Sequence, residues 1–144
     1  MLVVGLFLIV PAVTSAFTLK ADNSYFLGED EVIDDNVYTV GQSVVIKGTI
    51  KGDLICAGQN ISIDGTVEGS VYCAGQTVNL NGKVGGSARL AVQTISIAGL
   101  VERNVFAFGS FINAVNTSDI GGDMFLAGLM ADVQGKVGRD LHGA

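Results

Sequence analysis

The sequence predicts an all-β fold, a single-stranded parallel β-helix (solenoid) of about six rungs with 17 residues each. Glycine recurs every 17 residues, and within each period apolar residues alternate with polar ones, as Ile61 and Ile63 do around Ser62. The 144 residues include 20 glycines and a single proline, which suits regularly spaced tight corners. Beyond residue 36, no stretch keeps a helical spacing long enough for a helix.

Three columns of glycine hold the same period, so each unit is expected to contain three short strands separated by glycine corners. The corner glycines are Gly41, Gly58 and Gly75; Gly48, Gly65, Gly82 and Gly99; and Gly52, Gly69 and Gly86. The fifth unit, residues 105–123, is two residues longer, and the extra residues fall around Asn116 to Asp119. Such an insertion predicts a local bulge at one corner.

A unit of this kind cannot bury its apolar face alone, but units stacked in register form one continuous core. The expected inward columns are Val37, Leu54, Val71, Ala88, Val105 and Met124; Val44, Ile61, Val78, Ile95 and Ile112; Ile46, Ile63, Leu80 and Ile97; and Ile50, Val67, Val84 and Val101. Stacking also brings Lys47 next to Asp64 and Lys51 next to Glu68, and these opposite charges favour the register.

The chain divides into a segment 1–16, an acidic leader 17–30 and a β-helix domain 31–144. The first segment is predicted to be a signal peptide or membrane anchor, because the apolar run Leu2 to Val13 precedes the small residues Thr14 to Ala16. A buried strand is a third possibility there. We expect the β-helix domain to be truncated at its C-terminus, since Leu141 opens a further rung without a polar cap.

The acidity of the chain belongs to its N-terminal part. Residues 20–36 hold six of the fourteen acidic residues and one lysine, whereas residues 37–144 hold eight acidic and seven basic residues. The net charge of −6 argues against nucleic acid as a partner. The rod itself is nearly neutral.

The candidate chemical groups are few. Cys56 and Cys73 are 17 apart and therefore stacked in one column; we interpret them as buried core thiols, while a disulfide stays open because adjacent rungs lie about 4.8 Å apart. The only histidine, His142, is expected at the surface. We expect no catalytic residue, no metal site and no cofactor.

An outward column carries aromatic side chains rung after rung, and we predict a lateral stripe there. Its aromatic members are Tyr38, Tyr72, Phe106 and Phe125. Such a stripe is open to two interpretations: a lateral association surface, or stacking that stabilises the rod without binding anything.

The units AGQNISIDGTVEGS and AGQTVNLNGKVGGS, with their G-x-V/I-x-G-[DS] corner, resemble the rungs of the bactofilin family of bacterial polymer-forming cytoskeletal proteins. The resemblance covers residues 31–144. It implies a right-handed β-helix that polymerises end to end into non-polar filaments without nucleotide, often at membranes. By the same resemblance, the end-to-end contacts would involve Ile33, Val37, Met124, Leu126 and Leu141.

The predicted function is thus a non-catalytic, polymer-forming scaffold whose main partner is itself, with the membrane as a possible second partner through the N-terminal segment. The signal-like start predicts an exported or membrane-anchored protein of the bacterial cell envelope; a cytoplasmic, membrane-associated location is the alternative. Two other functions stay open. One is an extracellular adhesin or ice-binding rod using the polar ladder from Asn60 to Ser96, and the other, less favoured, is an acyltransferase of the hexapeptide type, whose rungs have about 18 residues.

Overall fold

The computed structural model describes residues 20–21 and 23–143. Among these residues, every element of regular secondary structure is a β-strand. The strands stack in parallel as a β-solenoid of about seven turns, with about 17 residues in each turn. The predicted fold class is therefore confirmed. The predicted signal or anchor segment, residues 1–16, lies outside the described residues, and the handedness stays a prediction.

Two parallel sheets run along the rod. The first contains eleven strands: β1 (Lys20–Ala21), β2 (Ser24–Leu27), β4 (Val37–Ile46), β6 (Leu54–Ile63), β8 (Val71–Leu80), β10 (Ala88–Ile97), β12 (Val105–Phe108), β13 (Phe111–Ala114), β15 (Met124–Ala127), β16 (Met130–Val133) and β18 (Leu141–Gly143). The second contains seven: β3 (Val32–Ile33), β5 (Thr49–Ile50), β7 (Thr66–Val67), β9 (Lys83–Val84), β11 (Leu100–Val101), β14 (Asp119–Ile120) and β17 (Lys136–Val137).

The solenoid begins earlier in the chain than residue 31, where the sequence analysis placed it. Strands β1 and β2 both pair with β4, and the register sets Ser24 opposite Ser43. Tyr25 and Leu27 are buried as members of the core. Part of the acidic leader thus forms an additional turn, because alternate residues of β2 are apolar and can cover the open face of β4.

The predicted register holds along the rod. Between β4 and β13, strands of successive rungs pair at a spacing of 17 residues, as Ile61 does with Val78, whereas β1 and β2 pair with β4 at a spacing of 19. Between β11 and β14 the spacing is 19, since Val101 pairs with Ile120, so the two extra residues lie in the loop before β14. All four inward columns are buried, and together they form one continuous apolar core.

At the corner marked by Gly41, Gly58 and Gly75 (the first corner), the structure differs from the expected three separate strands. Each of β4, β6, β8 and β10 runs for ten residues through this corner. The chain still turns there, because buried residues are odd-numbered before it (Val37, Thr39) and even-numbered after it (Val44, Ile46). A valine, Val92, takes the glycine position in β10 and is buried.

At the corner marked by Gly48, Gly65, Gly82 and Gly99 (the second corner), glycine is required because successive rungs approach closely. A Cβ atom added to Gly82 would overlap the carbonyl oxygen of Gly65, and one added to Gly99 would overlap that of Gly82. Ser118 occupies this column in the lengthened unit, where the insertion changes the path, and its Oγ donates a hydrogen bond to the Val115 carbonyl at 2.7 Å. The insertion therefore allows a side chain at a position where the regular rungs exclude one.

Candidate functional site

The two cysteines form a disulfide between adjacent rungs. Cys56 and Cys73 are paired in register, their Cα atoms lie 4.6 Å apart, and both side chains are almost fully buried. The interpretation as free core thiols is wrong, because parallel stacking brings the two sulfur atoms close enough to bond across the strands. Oxidising compartments favour such a bond.

A second series of stacked polar side chains, here called the third-corner ladder, lies at the third corner, directly after the glycine column Gly52, Gly69 and Gly86. In each rung a side-chain oxygen accepts a hydrogen bond from the backbone N–H of the corresponding residue in the next rung, at 2.7–3.3 Å. The ladder consists of Asn36, Asp53, Ser70, Ser87, Asn104, Asp123 and Asp140. The G-[DS] pattern in the sequence marked this column, but its role depends on the corner geometry.

The predicted lateral stripe forms a continuous outward column. Register pairing joins Tyr38, Ile55, Tyr72, Arg89, Phe106, Phe125 and His142 in this order. The rings of Phe106 and Phe125 stack with centroids 4.9 Å apart, and those of Phe125 and His142 stack at 4.7 Å. His142, which we expected at the surface, is exposed and extends the stack.

Arg89 joins the two aromatic parts of the stripe. Its Cζ atom lies 5.2 Å from the ring centroid of Tyr72 and 5.1 Å from that of Phe106, a cation–π contact on both sides. Its Nη1 atom also donates a hydrogen bond to the Tyr72 hydroxyl at 3.2 Å. Because the ring faces from Phe106 onward are used in stacking along the rod, the stripe offers mainly ring edges to another molecule.

The five residues expected at end-to-end contacts differ in exposure. Val37, Met124 and Leu126 are buried within the rod, so their side chains have almost no surface to offer a second molecule. Ile33 is partly buried, and Leu141 is 52% exposed at the outer edge of the first sheet. The end-contact prediction is thereby narrowed to Ile33 and Leu141, and the contact itself stays a prediction.

The register places Lys47 next to Asp64 and Lys51 next to Glu68 in adjacent rungs, as expected. Their charged groups have other partners, since Lys51 forms a salt bridge of 3.5 Å with Asp34 in the rung before it and Asp64 accepts a hydrogen bond from Asn81. Among the described residues, no three His, Cys, Asp or Glu side chains are placed to hold one metal ion. Burial, followed by the charge of Glu31, raises the pKa of Tyr25 above its usual value.

An apolar patch that was not predicted from the sequence lies at the first corner. In the rungs after residue 104 this corner carries four apolar side chains that are each more than half exposed: Phe108, Phe111, Leu129 and Met130. In the rungs from β6 to β10 the same columns carry Ala, Gln, Asn and Thr, whereas the β4 rung has Val40 and Ser43 there. The change of polarity along these columns was present in the sequence, and tabulating the outward columns would have found it.

One of the two polar columns considered for an adhesin or ice-binding surface ends at this patch. It passes through Asn60, Thr77 and Thr94, but the next residues in that column are Phe111 and Met130. The second column, which runs through Ser62, Asn79 and Ser96, stays polar and continues with Asn113 and Asp132. A groove of about 350 Å³ lies beside Phe111 and Met130 and is bounded by Asp132.

The fold defines this chain as a parallel β-solenoid with a disulfide between two of its rungs. In comparisons with known proteins, no family model, no curated protein and no solved structure matches the chain. The part of the chain that the structure describes contains no helix with the length and apolarity that crossing a membrane requires.

Proposed function

We propose that this protein is a non-catalytic structural scaffold of the bacterial cell envelope that assembles by stacking the ends of its solenoid on further copies. The observation that carries the proposal is the uniform register. Strand pairs repeat at a spacing of 17 residues from β4 to β13, so consecutive rungs have nearly the same backbone outline. A rung of a second copy can therefore stack by the geometry that already joins rungs within the chain.

The outer edges of the sheets support the proposal. Among the described strands, β3 and β17 are the outermost of the second sheet, and β18 lies at one end of the first. Each such edge presents backbone N–H and C=O groups that a further parallel strand would satisfy.

The envelope location is supported by the buried disulfide. Disulfides persist in oxidising compartments outside the cytosol, and the Cys56–Cys73 bond is nearly inaccessible to solvent. The resemblance of the rungs to polymer-forming bactofilins favours the same class of function. The predicted signal or anchor segment would bring the protein to the envelope.

The test is assembly of the 144-residue chain, followed by electron microscopy and sedimentation velocity over a range of concentrations. We expect filaments from the native chain and none from Leu141→Glu, since a charge at the stacking edge would be buried without a partner. Gln76→Glu adds the same charge to the side of a middle rung, where Gln76 is exposed, and should leave filaments unchanged. A native chain that stays monomeric at high concentration, or filaments that tolerate Leu141→Glu, would contradict the proposal.

A further inference from the structure

The apolar patch at the first corner is a cluster of exposed apolar side chains that the rod's own folding does not explain. Phe108 and Phe111 are 51% and 52% exposed, and Leu129 and Met130 are 83% and 65% exposed. Phe111 pairs directly with Met130 across adjacent rungs, and the Gly109–Ser110 turn separates it from Phe108. The four side chains form one ridge that spans two rungs.

A groove lies on each side of this ridge. The groove of about 350 Å³ runs along Phe111 and Met130, and a second groove of about 270 Å³ runs along Phe108 and Phe125. Both are lined mainly by apolar side chains, with Asp132 bordering the first and His142 bordering the second. A ridge with a groove on either side is self-complementary, because two copies related by a two-fold axis can each place the ridge in the other's groove.

The exposed area suits a reversible dimer. With roughly 150–250 Å² for an aromatic side chain, the four ridge residues expose on the order of 450 Å² of apolar surface. A stable protein interface buries about 800 Å² on each partner. Burial of this ridge on both copies would remove on the order of 900 Å² in total from solvent, which falls in the size range of weak, transient interfaces.

The charge distribution favours an antiparallel pair. Glu29, Asp30 and Glu31 are exposed near the N-terminal end of the rod, about five rungs from the ridge, and adjacent rungs are spaced by about 4.8 Å. Two parallel rods would place these acidic segments side by side. A two-fold pair centred on the ridge separates them by roughly 50 Å, far beyond the Debye length of about 8 Å at physiological salt.

We propose that the ridge Phe108, Phe111, Leu129 and Met130 binds the same ridge of a second copy of this chain, which pairs two rods laterally and antiparallel. This contact is separate from the end-to-end stacking proposed above and does not depend on it. The partner is a second copy because the exposed ridge lies between apolar grooves that the same ridge of a two-fold-related copy would enter. The pairing would also keep the acidic ends apart.

The chain supplies its own matched substitutions for a test. Residues in the same columns of earlier rungs are Ala for Phe108, Thr for Phe111, Gln for Leu129 and Thr for Met130. A quadruple variant, F108A/F111T/L129Q/M130T, therefore keeps residues that these columns already accept. The control, Val40→Ala, removes apolar surface from the Phe108 column in the first β4 rung, where Val40 is 52% exposed.

The dissociation constant of the dimer is measured by sedimentation equilibrium in the Leu141→Glu background, where end-to-end stacking is blocked. We expect a reversible dimer that the quadruple variant weakens at least about 100-fold and that Val40→Ala leaves unchanged. Circular dichroism should show the same β-structure and melting behaviour in all variants. A dimer that survives the quadruple variant, or a monomer at every concentration, would overturn the proposal.

A cross-linking experiment separates lateral from end-to-end contact. With a short bismaleimide, Ser110→Cys at the centre of the ridge should give a covalent dimer, whereas Gln76→Cys, one residue after Gly75 at the same corner, should not. Equal cross-linking of both variants would count against the proposal. Two further outcomes would count against it. One is a monomer that binds phospholipid vesicles and loses this binding when the ridge is substituted. The other is a thiol in Ser110→Cys that does not react with maleimide in the monomer, because another part of the same chain then covers the ridge.

Discussion

The rungs between residues 37 and 104 and those between 105 and 143 share one core but differ on their surface. The same inward columns are buried through both groups as far as Leu126, whereas Ala131 in the last rung is exposed and Val133 and Val137 are partly buried; both groups continue the third-corner ladder. The first group keeps a strict 17-residue spacing, and from β6 to β10 it carries Ala, Gln, Asn and Thr in the columns of the ridge, with Val40 as an exposed apolar member in the β4 rung. The second has the insertion before β14 and the exposed ridge. The comparison indicates that the inward columns and corners maintain the fold, while the outward columns are free to vary with function.

The largest effect is expected from a side chain at the second corner of a regular rung. Gly82→Val should cost about 3 kcal/mol of unfolding free energy or more, because its Cβ overlaps the Gly65 carbonyl and the rungs must move apart. Urea denaturation measures this cost. Ser118→Gly, in the same column of the lengthened unit, should cost only about 1 kcal/mol for the lost hydrogen bond. Equal costs at the two positions would mean that the insertion does not relieve the crowding.

Reduction of the disulfide should have the next largest effect, and it acts on the regular rungs. The bond closes a loop of 17 residues, and a loop of that size is worth about 3 kcal/mol through the entropy of the unfolded chain. Thermal unfolding with and without dithiothreitol measures the difference. The C56A/C73A variant should melt at the same temperature in both buffers, and a native chain indifferent to the reductant would contradict the prediction.

The smallest effect should be the same in both groups of rungs, since the third-corner ladder runs through both. Asp53→Ala removes the acceptor for the Ser70 N–H, and Asn104→Ala removes that for the Asp123 N–H. We expect each to cost about 1 kcal/mol by chemical denaturation. The double variant should show the sum, because distant sites act independently. A marked difference between the two costs would show that the ladder is not equivalent along the rod.

Much of the fold could be read from the sequence, because a repeated period fixes which residues stack. The inward columns, the insertion and the aromatic column followed directly from counting. The additional turn formed by β1 and β2 could not be found this way, since residues 20–27 carry no corner glycine in register. The sequence could not decide whether Cys56 and Cys73 form a disulfide, because stacking at 17 residues sets the spacing of the two residues but not their oxidation state.

The candidate surfaces were less predictable than the core. The sequence identified the stripe from Tyr38 to Phe125, but the position of Arg89 between two rings depends on side-chain conformations that no spacing specifies. The ridge could not be predicted from the period, because Phe108 and Phe111 differ from the Ala and Thr residues that precede them in their columns. Residues that break a repeat on its outer face are where a distinct function can lie.

The disulfide also has a mechanical consequence. Residues 56–73 and the sulfur bridge form a closed covalent hoop around the core, one full turn in circumference. Solenoids come apart rung by rung from their ends, and a force that unwinds this rod can open every turn except the hoop. When fully extended, the oxidised chain would be shorter than the reduced chain by the length of those residues, on the order of 60 Å at about 3.5 Å per residue. A rod held at one end would thus keep one closed turn that tension cannot unwind until the bond is reduced.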